Sequence, residues 1–565
     1  MAELSPKQHY LKHLGQLKNE RTSFEEHWRE LAEFIDPRST RFLTTERNNG
    51  SKRNTRIVDP TASKAARTLQ SGMLSGITSP TRPWFKLATP DPEMMQYGPV
   101  KRWLDVVMTR MNDVMNRSNV YQSLPIIYRH LGVFGTAAMA VLEDDEDVIR
   151  THPLPIGSYY LSNSHRLSVD TTYRVFSMTA RQIVMQFGLD NVSNAVRGAW
   201  DNANYEAWFD VVHLTEPNID RVNGKLNSRN KAFKSVYFEL SGDGDKLLRE
   251  AGFDEPPILS PRWEINGEDV YGSNCPGMMA LGTGKALQLE QIRKANAIDK
   301  LVNPPMVAPT GLKNKLINLA PGGVTYVDEV DATKLVRPAY AVSPQLNDML
   351  GSIADDRQMI EACFFSDLFN LFSTINTRSM PVEAVAAMQD EKLLQLGPVL
   401  ERLNDEFLDP FVDRTFNIMA RRNLFPEPPE ELQGTPLKVE YVSILAQAQK
   451  SIGISSVERF VGFVGNLAKA NPAALDKLNI DQTIDEYGNM LGVPATIVNS
   501  DDEVQATREQ RAQMEQQQQM MAMAQQAGAT AKTLSDTNTA DPSLLKTLSD
   551  AAQQPAVTQL SLIHI

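Results

Sequence analysis

Apolar residues near the start of the chain recur at helical spacing. Leu11, Leu14 and Leu17 are followed by Phe24, Trp28, Leu31 and Ile35, which predicts one long amphipathic helix. Ser5-Pro6-Lys7-Gln8 supplies a capping box with Pro at the first helical position, and Asp36-Pro37 stops it. A polar, basic stretch follows, and its middle, around 48–54, reads as an exposed loop. Asp59-Pro60 then opens a helix carrying Leu69 and Met73. Trp103, Val107, Met111 and Val114 predict another over 100–118, and a further helix runs over about 121–133. After Gly135 short β-type runs appear at 138–142, 159–161, 168–178, 208–214, 233–240 and 258–265. One helix interrupts them, capped by Thr179 with Gln182 and stopped by Gly188. The first half is therefore mixed α+β rather than alternating βαβ.

The middle is arranged differently. A helix over 284–301 ends at Asn303-Pro304-Pro305. A small β-rich piece follows over 306–340, with a turn at Pro321-Gly322-Gly323 and a strand at 324–327, and helix returns over 345–365. Two helices flanking a β insert make a stalk with a tip. Residues 366–380 are polar and irregular. The longest helical pattern, 381–422, would span about 63 Å if unbroken, with a kink expected at Gly397-Pro398. A strand is expected over 437–444, then more helices to about 491. Residues 501–529 are rich in Gln, Ala and Met, a helix with little apolar face that would be marginal alone. Beyond Gly528 the Thr/Ser/Asp-rich chain reads as disordered. No internal repeat of 20–50 residues is visible.

Composition narrows the function. The 565 residues would make roughly three or four domains, or one large interwoven body. Lys plus Arg is 57 against 69 Asp plus Glu, a net charge of −12, which argues against a protein that coats DNA by neutralising phosphates. Cys275 and Cys363 form no CxxC pair, which excludes a cysteine-based zinc module and points to a reducing compartment. The first ten residues contain no signal-peptide core, and no apolar stretch approaches membrane-spanning length, so no membrane partner is expected.

The search for chemistry finds little. Gly282-Thr283-Gly284-Lys285 lacks the upstream Gly and following Ser or Thr of a phosphate loop and reads as ordinary glycines at a helix N-terminus. Asp144-Asp145-Glu146-Asp147 lacks the spaced ligands of a calcium loop and reads as a solvated hairpin tip. His9 and His13 have a zinc-compatible spacing but no third ligand nearby, so they read as an exposed polar face. There is no GxSxG elbow. Residues 38–67 hold eight basic residues against Glu46 and Asp59. Among them Arg38, Arg41, Lys52, Arg53 and Arg56 could touch phosphates or the acidic surfaces of neighbouring subunits. No catalytic residue, metal or cofactor is assigned.

Two runs carry a resemblance. VYGSNCPGMMALGTGKALQLEQIRKANAIDKLVNPPMVAP (270–309) and NTRSMPVEAVAAMQDEKLLQLGPVLERLNDEFLDPFVDRTFNIMARR (376–422) resemble the portal, or head-to-tail connector, proteins of short-tailed bacteriophages. Trp28, Asp36-Pro37 and Asp59-Pro60-Thr61 agree, and the resemblance spans most of residues 5 to about 490. It implies an α+β portal-type fold in a ring of about twelve copies at a unique capsid vertex. Double-stranded DNA is driven through such a ring by the terminase large subunit, and the ring later joins a tail adaptor; capsid and scaffolding proteins are further partners. The protein would then be a virion component, assembled in the host cytoplasm. By resemblance, 1–270 is the wing or body, 271–305 the first stem helix, 306–340 the clip, 341–365 the second stem helix and 366–380 the channel loop. Residues 381–444 are the long kinked helix and a wing strand, 445–530 the crown or barrel, and 531–565 a disordered tail. Ser373, Thr374, Asn376, Thr377 and Arg378 would face DNA, or else form a loop packed on a neighbour. Arg293, Lys294, Lys300, Asp355 and Asp356 are stem candidates. Leu560 to Ile565 could be native or a sequencing artefact and is assigned no role. The competing functions are another ring-forming virion protein such as a tail adaptor, which would lack the stalk and be shorter, and a DNA-processing enzyme, which would need clustered carboxylates or a genuine phosphate loop.

Overall fold

The Ser5 hydroxyl accepts the Gln8 amide while the Gln8 side chain accepts the Ser5 amide, so α1 (Pro6–Phe34) starts on its capping box. The computed structural model describes residues 5–307 apart from 47–49, 51, 54, 82, 92–93, 95–96, 223–224, 226 and 243–244, and then 310, 337–338, 346–369, 396–432, 434, 437–441, 457–469, 471–491, 498 and 501–536. The expected strand at 324–327, residues 381–395, the channel-loop residues Ser373 to Arg378 and the tail beyond 536 lie outside them.

α1 belongs to two cores. Trp28, Leu31, Ala32 and Ile35 enter the main one, whereas Tyr10, Leu14 and Leu17 lie on a five-stranded sheet. That sheet is an antiparallel meander of β4 (Tyr159–Asn163), β5 (Val169–Thr179), β6 (Trp208–Pro217), β7 (Phe233–Glu239) and β8 (Arg249–Phe253). Alternation assigns its faces. Tyr173, Val175, Val212, Leu214, Val236 and Phe238 meet α1. Met178, Val211 and Tyr237 meet the β5–β6 connection, which forms α5 (Ala180–Phe187) and α6 (Asn194–Asp201). The Thr179–Gln182 capping box forms as its sequence predicts. α6, capped by Ser193, was not expected, because Asn194, Gly198 and Asp201 are weak helix formers.

The main core gathers α2 (Thr61–Ile77), α3 (Gly98–Arg117), α4 (Val120–Phe134) and the sheet β3–β2–β9. Here β2 is Met139–Asp144, β3 Val148–Pro153 and β9 Ile258–Leu259; the expected strand over 258–265 is thus only two residues long. β1 (Phe85–Ala88), which its pattern does not betray, pairs antiparallel with β12 (Lys438–Tyr441). α9 (Asp409–Arg421) closes this side through Phe411, Val412, Ile418 and Met419.

α7 (Pro276–Val302) begins eight residues before the expected start. Gly282-Thr283-Gly284-Lys285 therefore lies inside the helix rather than at its N-terminus, and Lys285 pairs with Glu30 at 2.7 Å. The true start is set by packing: a Cβ at Gly277 would lie 2.3 Å from the Val133 carbonyl oxygen, so only glycine lets α7 cross the end of α4 this closely. At the other end of the chain, α11 (Asp501–Asp536) runs past Gly528, where composition reads as disordered.

His13 is not simply an exposed face residue. Its Nδ1 lies 3.0 Å from the Tyr173 hydroxyl, which donates to buried Glu216 at 2.9 Å. Lys234, the cross-strand neighbour of Glu216, pairs with it at 2.8 Å. Burial raises the pKa of Glu216, but hydrogen bonds from His13, Lys234 and Tyr173 outweigh it and hold the value at about 2. A carboxyl lowered from 4.5 contributes stability at pH above 4.5 that is lost as pH falls toward 2. In thermal melts across that window, wild type should lose melting temperature steeply. Glu216→Gln should start lower at neutral pH and lose less; parallel curves would contradict the assignment.

Candidate functional site

One buried carboxylate joins four segments. Asp59 Oδ1 accepts the Thr61 amide (3.0 Å) and hydroxyl (2.6 Å), which caps α2. Oδ2 accepts Gln291 Nε2 (2.9 Å) from α7 and the Arg357 guanidinium (3.0 and 2.8 Å) from α8 (Leu346–Cys363). Gln288, buried on α7, accepts the Val58 and Asp59 amides at its Oε1 (both 2.7 Å) and donates to the Asp59 carbonyl (2.9 Å). Burial works against ionisation of Asp59, yet the Thr61 and Arg357 hydrogen bonds prevail and its pKa is lowered.

Beyond this clamp α7 leaves the core. Its buried residues end at Gln288, and Leu289, Ile292, Ile298, Leu301 and Val302 are exposed. Among the described side chains of α8 only Ile353 and Ile360 are fully buried, while Leu350 and Met359 are exposed. Past α7, β10 (Met306–Val307) pairs antiparallel with β11 (Arg337–Pro338) and closes the insert between the helices. Arg293 and Lys300 are exposed and Lys294 is half-buried. Asp355 is exposed, and Asp356 faces Glu290, so burial and then the Glu290 and Asp355 charges raise its pKa. Among the described residues no ion pair joins these basic groups to these acids.

The basic stretch is spread out rather than gathered into one patch. Arg41 donates to the Thr44 carbonyl (2.6 Å) and Ser177 (3.0 Å), Arg53 reaches the Thr40 carbonyl (3.4 Å), and Arg56 pairs with Glu33 (3.0 Å). Arg38 and Lys52 are exposed. Residues 366–369, expected to be irregular, continue as a helical turn, with Ser366, Leu368 and Phe369 buried. The acidic run forms the tip of the β2–β3 hairpin. Asp144 accepts the Glu146 and Asp147 amides, and the end of α9 grips the hairpin through Arg421–Glu143 (2.9 Å) and Arg422–Asp145 (3.2 Å).

One connection escapes sequence reasoning. Arg262, almost wholly buried, forks onto Glu406 (3.2 and 2.7 Å) and also donates to the Leu167 carbonyl (2.8 Å). Glu406 sits in a single π-turn, Asn404–Leu408, and this is where the long helix is irregular in the described residues. Arg262 and Glu406 are 144 positions apart, and no local pattern pairs them. Burial pushes the Cys275 thiol up to about 12, which suits packing rather than nucleophilic attack. Among the described residues no three His, Cys, Asp or Glu side chains are placed to hold a metal, and no helix is long and apolar enough to cross a membrane.

What the geometry holds in place is architecture: a mixed helix-and-sheet body, with a helical pair clamped at Asp59 and apolar faces left uncovered beyond it. That is the build of an assembly subunit. The profile of the family described as bacteriophage head to tail connecting protein matches residues 7–498, and the chain belongs to that family. It is 61% identical over 555 residues to the portal protein of Salmonella phage epsilon15, covering 98% of this chain and 100% of that protein. It is 42% identical over 545 residues to the probable portal protein of Bordetella phage BPP-1, covering 96% and 98%. A chain in the neck of an empty GTA particle computed with C6 symmetry aligns at 11% identity and a TM-score of 0.34, over 70% of this chain and 86% of that one. The function is that of a head-to-tail connector.

Asp59→Ala should cost about 3 kcal/mol, because it strands several buried donors. Arg357→Ala should cost about 1 kcal/mol or less, since that side chain is 47% exposed. Urea unfolding of the two variants checks the ranking; equal losses would contradict it.

Proposed function

We propose that the chain is the subunit of a portal ring of about twelve copies at one capsid vertex, the conduit for genome packaging and ejection. The observation that carries this reading is the uncovered apolar surface of α7 and α8. A helical pair with Ile292, Ile298, Leu301 and Leu350 in water is unfavourable alone and reasonable beside identical copies. The C-terminal region supports it. Phe460, Phe463 and Leu467 on the helix at 457–469 and Ile484 on α10 (Ile480–Leu491) are exposed, as are Met514, Met520, Met521 and Met523 on α11. A 36-residue helix so exposed needs neighbours to be stable.

In this reading 1–270 is the wing, α7 and α8 the stem, the insert over 306–340 the clip, and the helices beyond 445 the crown or barrel. Residues 381–444 are the long kinked helix and a wing strand. The clip docks the terminase large subunit and later a tail adaptor, while the capsid and scaffolding proteins hold the rim; assembly takes place in the host cytoplasm. The role is structural, without catalysis. Ser373, Thr374, Asn376, Thr377 and Arg378 line the channel and touch DNA transiently. Arg293, Lys294, Lys300, Asp355 and Asp356 set the charge of the stem, and the net charge of −12 keeps the walls from gripping a duplex that must slide in both directions.

Native mass spectrometry of the full chain tests the ring: about a dozen copies is expected, and a monomer defeats the proposal. Ile298→Asp should shift the species from ring to subunit while changing the chain's own stability by no more than about 0.5 kcal/mol; intact rings would remove the stem contact from the proposal. Arg378→Ala should alter DNA yield or genome retention without blocking ring formation. Normal packaging and retention would exclude a channel role for that residue.

A further inference from the structure

The helices at 457–469 and α10 enclose a groove that α11 of the same chain does not fill. The cavity between them is about 480 Å³. Val457, Val461, Ile484, Tyr487 and Val498 make its walls apolar. Glu458 stands at its edge, exposed, with the Tyr487 hydroxyl donating to its Oε1 at 2.7 Å. No Lys, Arg or His among the described residues lines the cavity. An apolar space open to water is unfavourable, and filling it with an apolar side chain removes that cost.

α11 begins at Asp501, three positions after Val498, yet none of its described residues lines the groove. Arg508 forks onto Asp481, at the start of α10, with bonds of 2.8 and 2.7 Å. That pair fixes the direction in which α11 departs. Met514 and Met521 lie about 9 and 20 Å further along its axis. At about 100° per residue, their face is turned about 120–140° from Arg508. α11 is unbroken to Asp536, so this face cannot fold back into its own groove. Arg511 shares the methionine face, within about 80°. The ion pair to α10 uses Arg508 and leaves Arg511 exposed, as Met514 and Met521 are. The face thus joins one cation to two apolar side chains, and the groove joins one carboxylate to an apolar cavity.

We propose that the groove takes α11 of a second copy of this chain. Met514 and Met521 enter between the helix at 457–469 and α10, and Arg511 pairs with Glu458 at the edge. Methionine suits the task, because its unbranched, flexible side chain fills irregular apolar space. The inference rests on the ring proposed above and gives it a direction. Each copy hands its last long helix to one neighbour and receives one from the other, a head-to-tail contact of the kind that closes into rings. It also supplies the support that an exposed helix of this composition lacks alone.

Disulfide cross-linking of the full chain tests this. Ile484, Met514 and Met521 are exposed, so cysteine at these positions should leave the subunit folded. Ile484→Cys combined with Met514→Cys or with Met521→Cys should give a ladder of linked chains on a non-reducing gel, and each single substitution should give none. Arg511→Glu should lower the linked fraction about twofold or more, and adding Glu458→Arg should restore it. Native mass spectrometry of the same samples separates this inference from the ring itself. Rings without a link between chains would overturn the inference and leave the ring standing, whereas a monomer defeats both. A link confined to one chain, a ladder from Met521→Cys alone, which would place α11 against its own counterpart, or a yield indifferent to Arg511→Glu would also overturn it.

Discussion

Asp59 is nearly removed from water, and a carboxylate can stay ionised there because five hydrogen bonds converge on it from Thr61, Gln291 and Arg357. The consequence is geometric. One residue fixes where α2 begins, how α7 passes it and how α8 returns, and Gln288 adds three bonds to the same backbone. In the proposed ring every copy would then present its helical pair at one angle. A closed ring requires that, because an interface repeated around a symmetry axis tolerates little variation between copies.

Above and below the clamp the chain follows opposite rules. In the main core Val120, Leu124, Ile127, Leu131 and Phe134 of α4 are wholly buried within one chain. Beyond Gln288 the same kinds of residue stand in water, at Ile292, Ile298 and Leu301. The first group stabilises the subunit, and the second is stabilised by whatever covers it. Net acidity fits beside this. It opposes tight binding of a nucleic acid and leaves a conduit free to let one pass.

The elements whose signals are local were legible in the sequence. The capping boxes at Ser5–Gln8 and Thr179–Gln182, the stop at Asp36-Pro37 and the opening at Asp59-Pro60 all stand where their residue types place them. The hairpin tip at Asp144 reads correctly too, since an aspartate can satisfy the two amides that follow it. Misreadings arose where packing overrode local preference. Gly282 and Gly284 looked like a helix start because glycine is poor inside helices, yet Pro276 and Gly277 start α7 eight residues earlier by seating it on α4. β1 is four residues long and recognisable through β12, some 350 positions away.

Sequence alone determined the helices and strands whose signals are local, the acidic balance, and a resemblance strong enough to name a family. Those properties reside in single residues, in short-range periodicity, or in the order of motifs along the chain. The tertiary structure alone decided that Asp59 would bind Arg357, that Arg262 would find Glu406, that Glu216 would be shared by His13, Tyr173 and Lys234, and that Val457, Ile484 and Val498 would line one groove. Each joins residues tens to hundreds of positions apart. Their partnership is set by which surfaces meet when the cores close, a property of the whole chain that no local window contains.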